Sequence, residues 1–205
     1  MKLKHDVVYR AAQKKDFPAV IEFIRQKNLK GWECENEKIG KRLSRMLFCQ
    51  YMSCRASFLV AVCREKVAGV IITGNGSRRR FAPLYKIKAA CIFLRLKMTK
   101  EGRSNLKILK QMEEMREKLQ DKENRADHFI LFLYVHKNFL RNGIGTGLLD
   151  HLQEMEKKTF FVYADQSDNL GFMEKHGFVK LADTEQMMEI RRQRFREKIS
   201  LYRTD

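Results

Sequence analysis

The sequence lacks an apolar segment long enough to cross a lipid bilayer. Its longest apolar runs, at 129–135 and 89–94, are far shorter than the roughly 20 residues that a spanning helix needs. The first residues are polar and charged and contain no apolar signal-peptide region. We therefore expect a cytoplasmic protein without a membrane partner.

Cysteine is present, but not in a pattern that binds a metal or builds a disulfide framework. The cysteines are odd in number and include no Cys-x-x-Cys pair. They are Cys34, Cys49, Cys54, Cys63 and Cys91. Small buried apolar side chains are their simplest interpretation. No metal site is expected.

Acidic residues are scarce relative to basic ones, and the chain carries a formal net charge of +17. Residues 77–125 hold 15 Lys and Arg against 6 Asp and Glu, and the segment after Ile190 adds six more cations. Such segments are either solvated surfaces or docking sites for an anionic partner such as RNA or a ribosome. Both interpretations stay open, although no zinc finger or RNA-recognition signature accompanies the charge.

The length of the chain limits the number of domains. With 205 residues and 44% hydrophobic content, it can bury one substantial core. We predict a single domain over 1–190, followed by a basic C-terminal tail over 191–205.

Periodicity in the first part of the chain predicts both strands and helices. Residues 7–9 are apolar like a strand, and two stripes of apolar residues at helical spacing follow at 16–27 and 36–52. Residues 58–62 and 67–73 flank a short charged turn and predict an antiparallel hairpin.

A long charged segment separates this hairpin from the next strand. Its second half carries leucine and methionine at helical spacing, whereas the apolar residues 84–96 fit either a strand or a buried helix. We interpret the segment, about 77–125, as a helical insertion between the third and fourth strands.

The last part of the chain alternates strands and helices around a glycine-rich turn. Strands are predicted at 129–135 and 160–164 with an amphipathic helix between them, and 177–182 and 186–190 predict a closing antiparallel pair. The expected fold is therefore α/β, a mixed central sheet with helices on both faces.

The turn after the fourth predicted strand has the composition of a phosphate-binding loop. Gly143, Gly145 and Gly147 lack the Cβ atoms that would hold a ligand away from the backbone, so N–H groups and the positive end of a helix can face an anion. Leu148 stands where a Walker A motif needs lysine and where a dinucleotide fingerprint counted from Gly143 needs its third glycine. Asp165 does match the position of a ribose-binding acid. Both motifs fit poorly.

The turn resembles the coenzyme A site of the GNAT acyltransferase superfamily, in which a strand and a bend lead to Gln/Arg-x-x-Gly-x-Gly/Ala at a helix start. Residues 140–145, Leu-Arg-Asn-Gly-Ile-Gly, match both glycines, with leucine in place of the first polar residue. Residues 168–178 resemble the family's late helix, which ends in Phe-Tyr-Glu-Lys-x-Gly-Phe. Residues 9–24 more weakly resemble its opening strand and first helix. The resemblance covers roughly 7–75 and 127–190 and implies the GNAT-like fold.

The resemblance implies that the protein binds acetyl-CoA and transfers its acetyl group to a primary amine by direct attack. It also implies that pantetheine pairs with the strand and that the turn binds the pyrophosphate, to which Thr146 can add its hydroxyl. Asn169 matches a family residue near the pantetheine arm, and a helix N-cap explains it equally well. The implied cofactor-binding residues are Leu133, Val135, Arg141, Asn142, Gly143, Ile144, Gly145, Thr146 and Asn169.

The residues expected to handle protons depart from the family pattern. Met173 stands where the family's tyrosine commonly protonates the leaving thiolate, and methionine has no proton to give. Tyr163, on the following strand, is a candidate substitute. Glu33 and Glu35, in an acidic segment beside Trp32, are candidates for a base that acts through water.

Two functions stay open. The first is an N-acetyltransferase acting on an amine of unknown identity. The second is a protein of the same fold that binds acyl-CoA or an anionic partner with weak or no catalysis, which the replacement at Met173 favours. The acceptor and the oligomeric state, a homodimer among the options, do not follow from the sequence.

Overall fold

The computed structural model describes residues 7–28, 36–54, 56–75, 82–122, 128–165, 168–190 and 193–204. In chain order the elements are β1 (Val7–Ala11), α1 (Phe17–Asn28), α2 (Glu37–Ser53), β2 (Ser57–Cys63), β3 (Lys66–Asn75), α3 (Pro83–Lys97), α4 (Lys100–Lys122), β4 (His128–Val135), α5 (Ile144–Glu156), β5 (Phe161–Asp165), α6 (Leu170–Lys175), β6 (Phe178–Ile190) and β7 (Gln193–Thr204). Within these ranges no helix combines the length and apolarity that crossing a bilayer requires.

The strands form one mixed sheet in the order β1-β2-β3-β4-β5-β7-β6. Only the β4–β5 pair is parallel, and the other neighbours are antiparallel. Helices α3 and α4 lie between β3 and β4 along the chain. The predicted α/β fold and its helical insertion are therefore confirmed, and residues 84–96 belong to a helix.

Helices cover both faces of the sheet because successive strand residues point to opposite sides. On β5, Val162 and Ala164 pack in the cluster that contains α5, whereas Phe161 and Tyr163 contact the cluster that contains α4. Helices α1 and α2 pack together over β2, β3 and β4. Helix α3 lies against α2 and α4 rather than on the sheet.

The predicted end of the chain is wrong in one respect. The expected pair at 177–182 and 186–190 is a single long strand, β6, and its partner is β7, which also pairs with β5. The segment predicted as a basic tail from 191 is therefore part of the sheet over Gln193–Thr204. Its cations at 194, 196 and 198 recur at every second position and so lie on one face of the strand, on which residues 200, 202 and 204 are buried.

Candidate functional site

Near the carboxyl end of β4, every second residue turns its backbone N–H and C=O groups away from β3. The His136 N–H donates to the Ala68 carbonyl at 2.8 Å, and the same antiparallel register continues back along β4. Hydrogen-bonded and non-hydrogen-bonded pairs alternate along such a ladder. The N–H and C=O groups of Leu133 and Val135 therefore face the β5 side.

Strand β5 does not reach these groups. In the described part of both strands, the parallel pairing joins Phe129 and Ile130 to Phe161 and Val162 and then stops. The edge of β4 at Leu133 and Val135, which we call the open edge, is consequently available to an extended ligand. Pairing with such a ligand gives hydrogen-bond partners to backbone groups that β5 leaves unpaired.

The glycine-rich turn leads from this edge into α5. Gly143 is the N-cap with φ +76°, Arg141 also has a positive φ of 63°, and no side chain caps this end of the helix. The first intrahelical bond runs from the Gly147 N–H to the Gly143 carbonyl at 2.9 Å. The N–H groups of residues 144–146 precede that bond, so they and the helix dipole form a site for an anion.

Three glycines in this turn have three different structural roles. Gly143 supplies the positive φ, and a Cβ there would meet no atom within 4 Å. A Cβ on Gly145 would lie 3.2 Å from the ring of Phe172, and a Cβ on Gly147 would lie 2.0 Å from the hydroxyl oxygen of Tyr9. The sequence interpretation assigned all three glycines to ligand access. The structure gives Gly147 a packing reason instead.

A histidine that the sequence interpretation missed contacts the turn. His176 Nε2 lies 2.9 Å from the Thr146 hydroxyl, and its Nδ1 lies 2.7 Å from the Phe172 carbonyl. Because a carbonyl only accepts, Nδ1 carries the hydrogen, and Nε2 of the neutral ring accepts from Thr146. The Thr146 hydroxyl has one hydrogen, so donation to His176 and donation to a phosphate are alternatives.

A lysine ammonium lies at the open edge. Lys27, in the last turn of α1, places Nζ 2.8 Å from Asp168 Oδ1 and 3.5 Å from the Leu133 carbonyl oxygen. The Asp168 side chain is 12% exposed, and its Oδ2 accepts the Asp165 N–H at 3.0 Å. The ammonium also lies 5.5 Å from the centre of the Phe132 ring. This end of the β4–β5 gap thus already holds a primary ammonium between a carboxylate and a backbone carbonyl.

The other residues predicted to contact the cofactor lie at the surface near the glycine-rich turn. Arg141 is exposed, and the Asn142 amide donates to the Leu140 carbonyl at 3.3 Å. Asn169 caps α6, because its side-chain oxygen accepts the Phe172 N–H at 3.2 Å. The cap explains the asparagine without a ligand, and its contact with pantetheine stays a prediction.

Tyr163 lies near the paired ends of β4 and β5 rather than at the open edge. Its ring stacks on Phe129, where β4 and β5 still pair, with 5.3 Å between ring centroids. Its hydroxyl donates to the Arg116 carbonyl of α4 at 3.3 Å. The hydroxyl hydrogen of Tyr163 is therefore bonded to a helix carbonyl and does not lie at the open edge.

Proton transfer also concerns Met173, which stands in place of the family's tyrosine, and the two predicted bases. Met173 is buried in the apolar cluster beneath α5. Glu33 and Glu35 lie outside the described residues. Sequence reasoning missed Glu197 on β7, whose pKa is raised above its ordinary value by burial and by the negative charge of Asp165. The β5–β7 register places Glu197 just beyond the carboxyl end of β5.

An open cavity of about 1050 Å³ lies on the α1 side of the same sheet end. It is bordered by the segment after β4 and by charged residues of both signs. These are Arg10, Lys15, Asp16, Glu22, Arg64, Glu65 and Lys66. The mixed charge selects neither an anionic nor a cationic ligand.

The chain is similar to known proteins both in sequence and in structure. The model of the acetyltransferase (GNAT) family matches residues 31–178. No curated protein sequence matches the chain. Solved structures that resemble it include a GNAT-family acetyltransferase from Streptococcus pneumoniae, which is 16% identical with a TM-score of 0.55, the two chains being covered to 97% and 99%.

Two further solved structures have the same fold. The ribosomal-protein-alanine N-acetyltransferase from Brucella melitensis is 14% identical, with a TM-score of 0.55 and coverage of 96% of this chain and 98% of that one. A GNAT-family acetyltransferase from Elizabethkingia anophelis with acetyl-CoA bound is 10% identical, with a TM-score of 0.52 and coverage of 98% and 99%. Since the family model matches more than half of the sequence, the chain belongs to the GNAT acetyltransferase family, whose cosubstrate is acetyl-CoA.

Proposed function

We propose that the protein transfers the acetyl group of acetyl-CoA to a primary amine. The observation that carries this proposal is the Lys27 ammonium, held at the open edge by Asp168 and the Leu133 carbonyl. A substrate amine that displaces the Lys27 ammonium would meet the same two oxygen acceptors. The site is therefore suited to a cationic acceptor.

The residues of the turn and the open edge fit the cosubstrate. The free N–H groups of residues 144–146 and the α5 dipole can bind its diphosphate. The Leu133 N–H and the backbone groups of Val135 can pair with its amide-containing arm. Bound acetyl-CoA supplies an activated thioester. Arg141 and Asn142 flank the diphosphate position, and the net charge of +17 speeds encounter with this polyanion.

Proton transfer requires a base, because an ammonium cannot attack a carbonyl. Glu197 supports this role since its raised pKa makes it a stronger proton acceptor than an ordinary carboxylate. Glu33 and Glu35 stay alternatives. The departing thiolate needs no dedicated acid near neutral pH, because thiol pKa values are about 8.5. Tyr163 can serve as an acid only if its bond to the Arg116 carbonyl breaks.

The carboxylate of Asp168 favours an acceptor amine that carries a positive charge. The fold neighbour from Brucella melitensis acts on a ribosomal protein, which makes a protein amine one candidate for this chain as well. A small polyamine meets the same groups at Asp168. RNA or ribosome docking through the basic surface, and a homodimer, remain proposals beside it.

A second candidate function has one observation in its favour. Met173 replaces the tyrosine of the family pattern and is buried, so no hydroxyl stands at that position. If the leaving thiolate does require an acid, the protein binds acyl-CoA but transfers the acyl group weakly or not at all.

The direct experiment measures CoA thiol release from acetyl-CoA with polyamines, aminoglycosides, peptides and ribosomal particles as acceptors. Transfer to at least one amine is expected, and Asp168→Asn should lower kcat/KM for that amine at least tenfold while acetyl-CoA affinity changes little. Glu154→Gln is the control, because this exposed carboxylate lies near the far end of α5. Tight acetyl-CoA binding without release for any acceptor would instead establish the second function.

A further inference from the structure

Helix α3 is apolar on two opposite faces. One face holds Ala89 and Leu96, which are buried against α2 and α4 together with Tyr85, Ile92 and Phe93. The other face lies about 180° around the helix at 100° per residue. An amphipathic surface helix ordinarily has one apolar stripe, so the second stripe of α3 needs its own explanation.

The second stripe, which we call the α3 seam, is exposed. Leu84 is 71% exposed, Ile87 60%, Leu94 61% and Met98 82%, and Cys91 is exposed as well. In the described part of the chain no element packs over these side chains. A single exposed leucine needs no cause, but five aligned apolar residues on one helix form a patch of the kind that marks an interaction site.

The spacing of the seam identifies the shape of its partner. Its residues follow one another at intervals of 3, 4, 3 and 4, the 3.5-residue repeat of helices that pack along their length. The stripe is one residue wide and extends about 21 Å over 14 residues at 1.5 Å each. A helix that lies on a membrane surface needs a broader apolar face, whereas a narrow seam is typical of a helix–helix contact.

The charges beside the seam identify the chemistry of that partner. Lys88 and Arg95 border the stripe on one side and Lys97 borders it on the other, and all three are exposed. Charges at these positions set partner choice in paired helices. A second copy of α3 would bring like charges together, whereas a helix with glutamate or aspartate beside its apolar stripe would pair with them.

We propose that the α3 seam is a docking site for an acidic amphipathic helix of another protein. The partner contributes apolar residues at 3–4 spacing, which cover the seam, and carboxylates, which meet Lys88, Arg95 and Lys97. Helix α3 packs on α2 and α4, which cover the face of the sheet opposite α5, so this docking leaves the glycine turn free. The protein can therefore bind the partner and acetyl-CoA at the same time.

The test uses fluorescence anisotropy with a labelled synthetic 21-residue helix that carries leucine at the seam positions and glutamate beside them. The probe is used at concentrations at which it is monomeric. Micromolar binding is expected, at least tenfold weaker in high salt and at least tenfold weaker for Ile87→Asn and for Leu94→Asn. Met155→Asn is the matched control, because it replaces an exposed apolar residue on α5, and its affinity should equal that of the wild type.

Binding of other partners at the seam would overturn the proposal. The results that would do so are equal binding of the same probe with lysine in place of glutamate, binding of 1:1 phosphatidylglycerol and phosphatidylcholine vesicles that is lost in Leu94→Asn, and self-association in sedimentation equilibrium that Leu94→Asn abolishes. Failure of the acidic probe to bind the folded wild-type protein would overturn it as well. Circular dichroism spectra confirm that each variant is folded, which the exposed positions lead us to expect.

Discussion

The contact between Gly147 and Tyr9 allows the packing role of one glycine to be separated from ligand binding. An alanine Cβ at position 147 would lie 2.0 Å from the Tyr9 hydroxyl oxygen and 2.4 Å from Cζ. Ordinary contact begins near 3.4 Å, so the tyrosine must move by about 1.4 Å. Overpacking of this kind costs about 1–3 kcal/mol, and alanine returns about 1 kcal/mol of helix propensity. Gly147→Ala should therefore destabilise the protein by up to about 2 kcal/mol.

A double-mutant cycle in urea denaturation measures this contact. In a Tyr9→Leu background the clashing atoms are absent, so Gly147→Ala should be neutral or stabilising by up to about 1 kcal/mol. Gly171→Ala is the matched control, because it is also a helical glycine and its nearest contact for a Cβ is 3.7 Å. The Tyr9→Leu/Gly147→Ala protein should bind acetyl-CoA within about threefold of the wild type, since position 147 follows the free N–H groups. An equal loss of stability in both Tyr9 backgrounds would refute this packing role.

Four other substitutions have expected outcomes. Asp16→Asn should cost about 2–3 kcal/mol, because the 5% exposed carboxylate accepts from Arg10 at 2.6 and 3.1 Å. This hydrogen bonding lowers the pKa of Asp16, so in denaturation at falling pH the difference from wild type should be complete above the ordinary value of 3.8 and should shrink below it, as pH approaches the lowered pKa. Glu197→Gln should raise the melting temperature at neutral pH but not in acid, because burial raises the pKa of Glu197 above 4.5 and makes its ionised form destabilising. Lys27→Met and Asp168→Asn should each cost about 1–3 kcal/mol in urea, and the double variant less than their sum.

The part of the site that is local in sequence could be predicted. An apolar strand, a bend, closely spaced glycines and an amphipathic stripe occur consecutively, and each produces the element that its pattern indicates. The fold neighbours and the family model confirm the architecture that the two matched segments implied. Local patterns were sufficient there because strand, turn and helix are each set by residues close together in the chain.

The last two strands were mispredicted because charge hid their periodicity. In β7 the cations at alternate positions were counted as a basic tail, although Ile199 and Leu201 occupy alternate positions buried beneath α4. A segment with one solvated face and one buried face has that pattern in a strand. The net charge of the segment does not show this alternation, which is visible only when the residues are considered position by position.

The contacts at the open edge could not be predicted from local patterns. Lys27 ends α1 and Asp168 precedes α6, and only the folded sheet brings them to the same gap. Glu197 is likewise placed beside β5 by the strand order, which puts β7 rather than β6 next to it. His176 had a weak local signal, since it lies four residues after Phe172, one helical turn away.

Amide nitrogen–proton NMR spectra recorded during an acetyl-CoA titration test the central claim most directly. The account predicts that the amides of Ile144, Gly145 and Thr146 shift strongly as hydrogen bonds to the diphosphate form, with those of Leu133 and Val135 following as the open edge is paired. Saturable shifts confined to the lysine- and arginine-rich surface of α3 and α4, with these five amides unmoved, would contradict it.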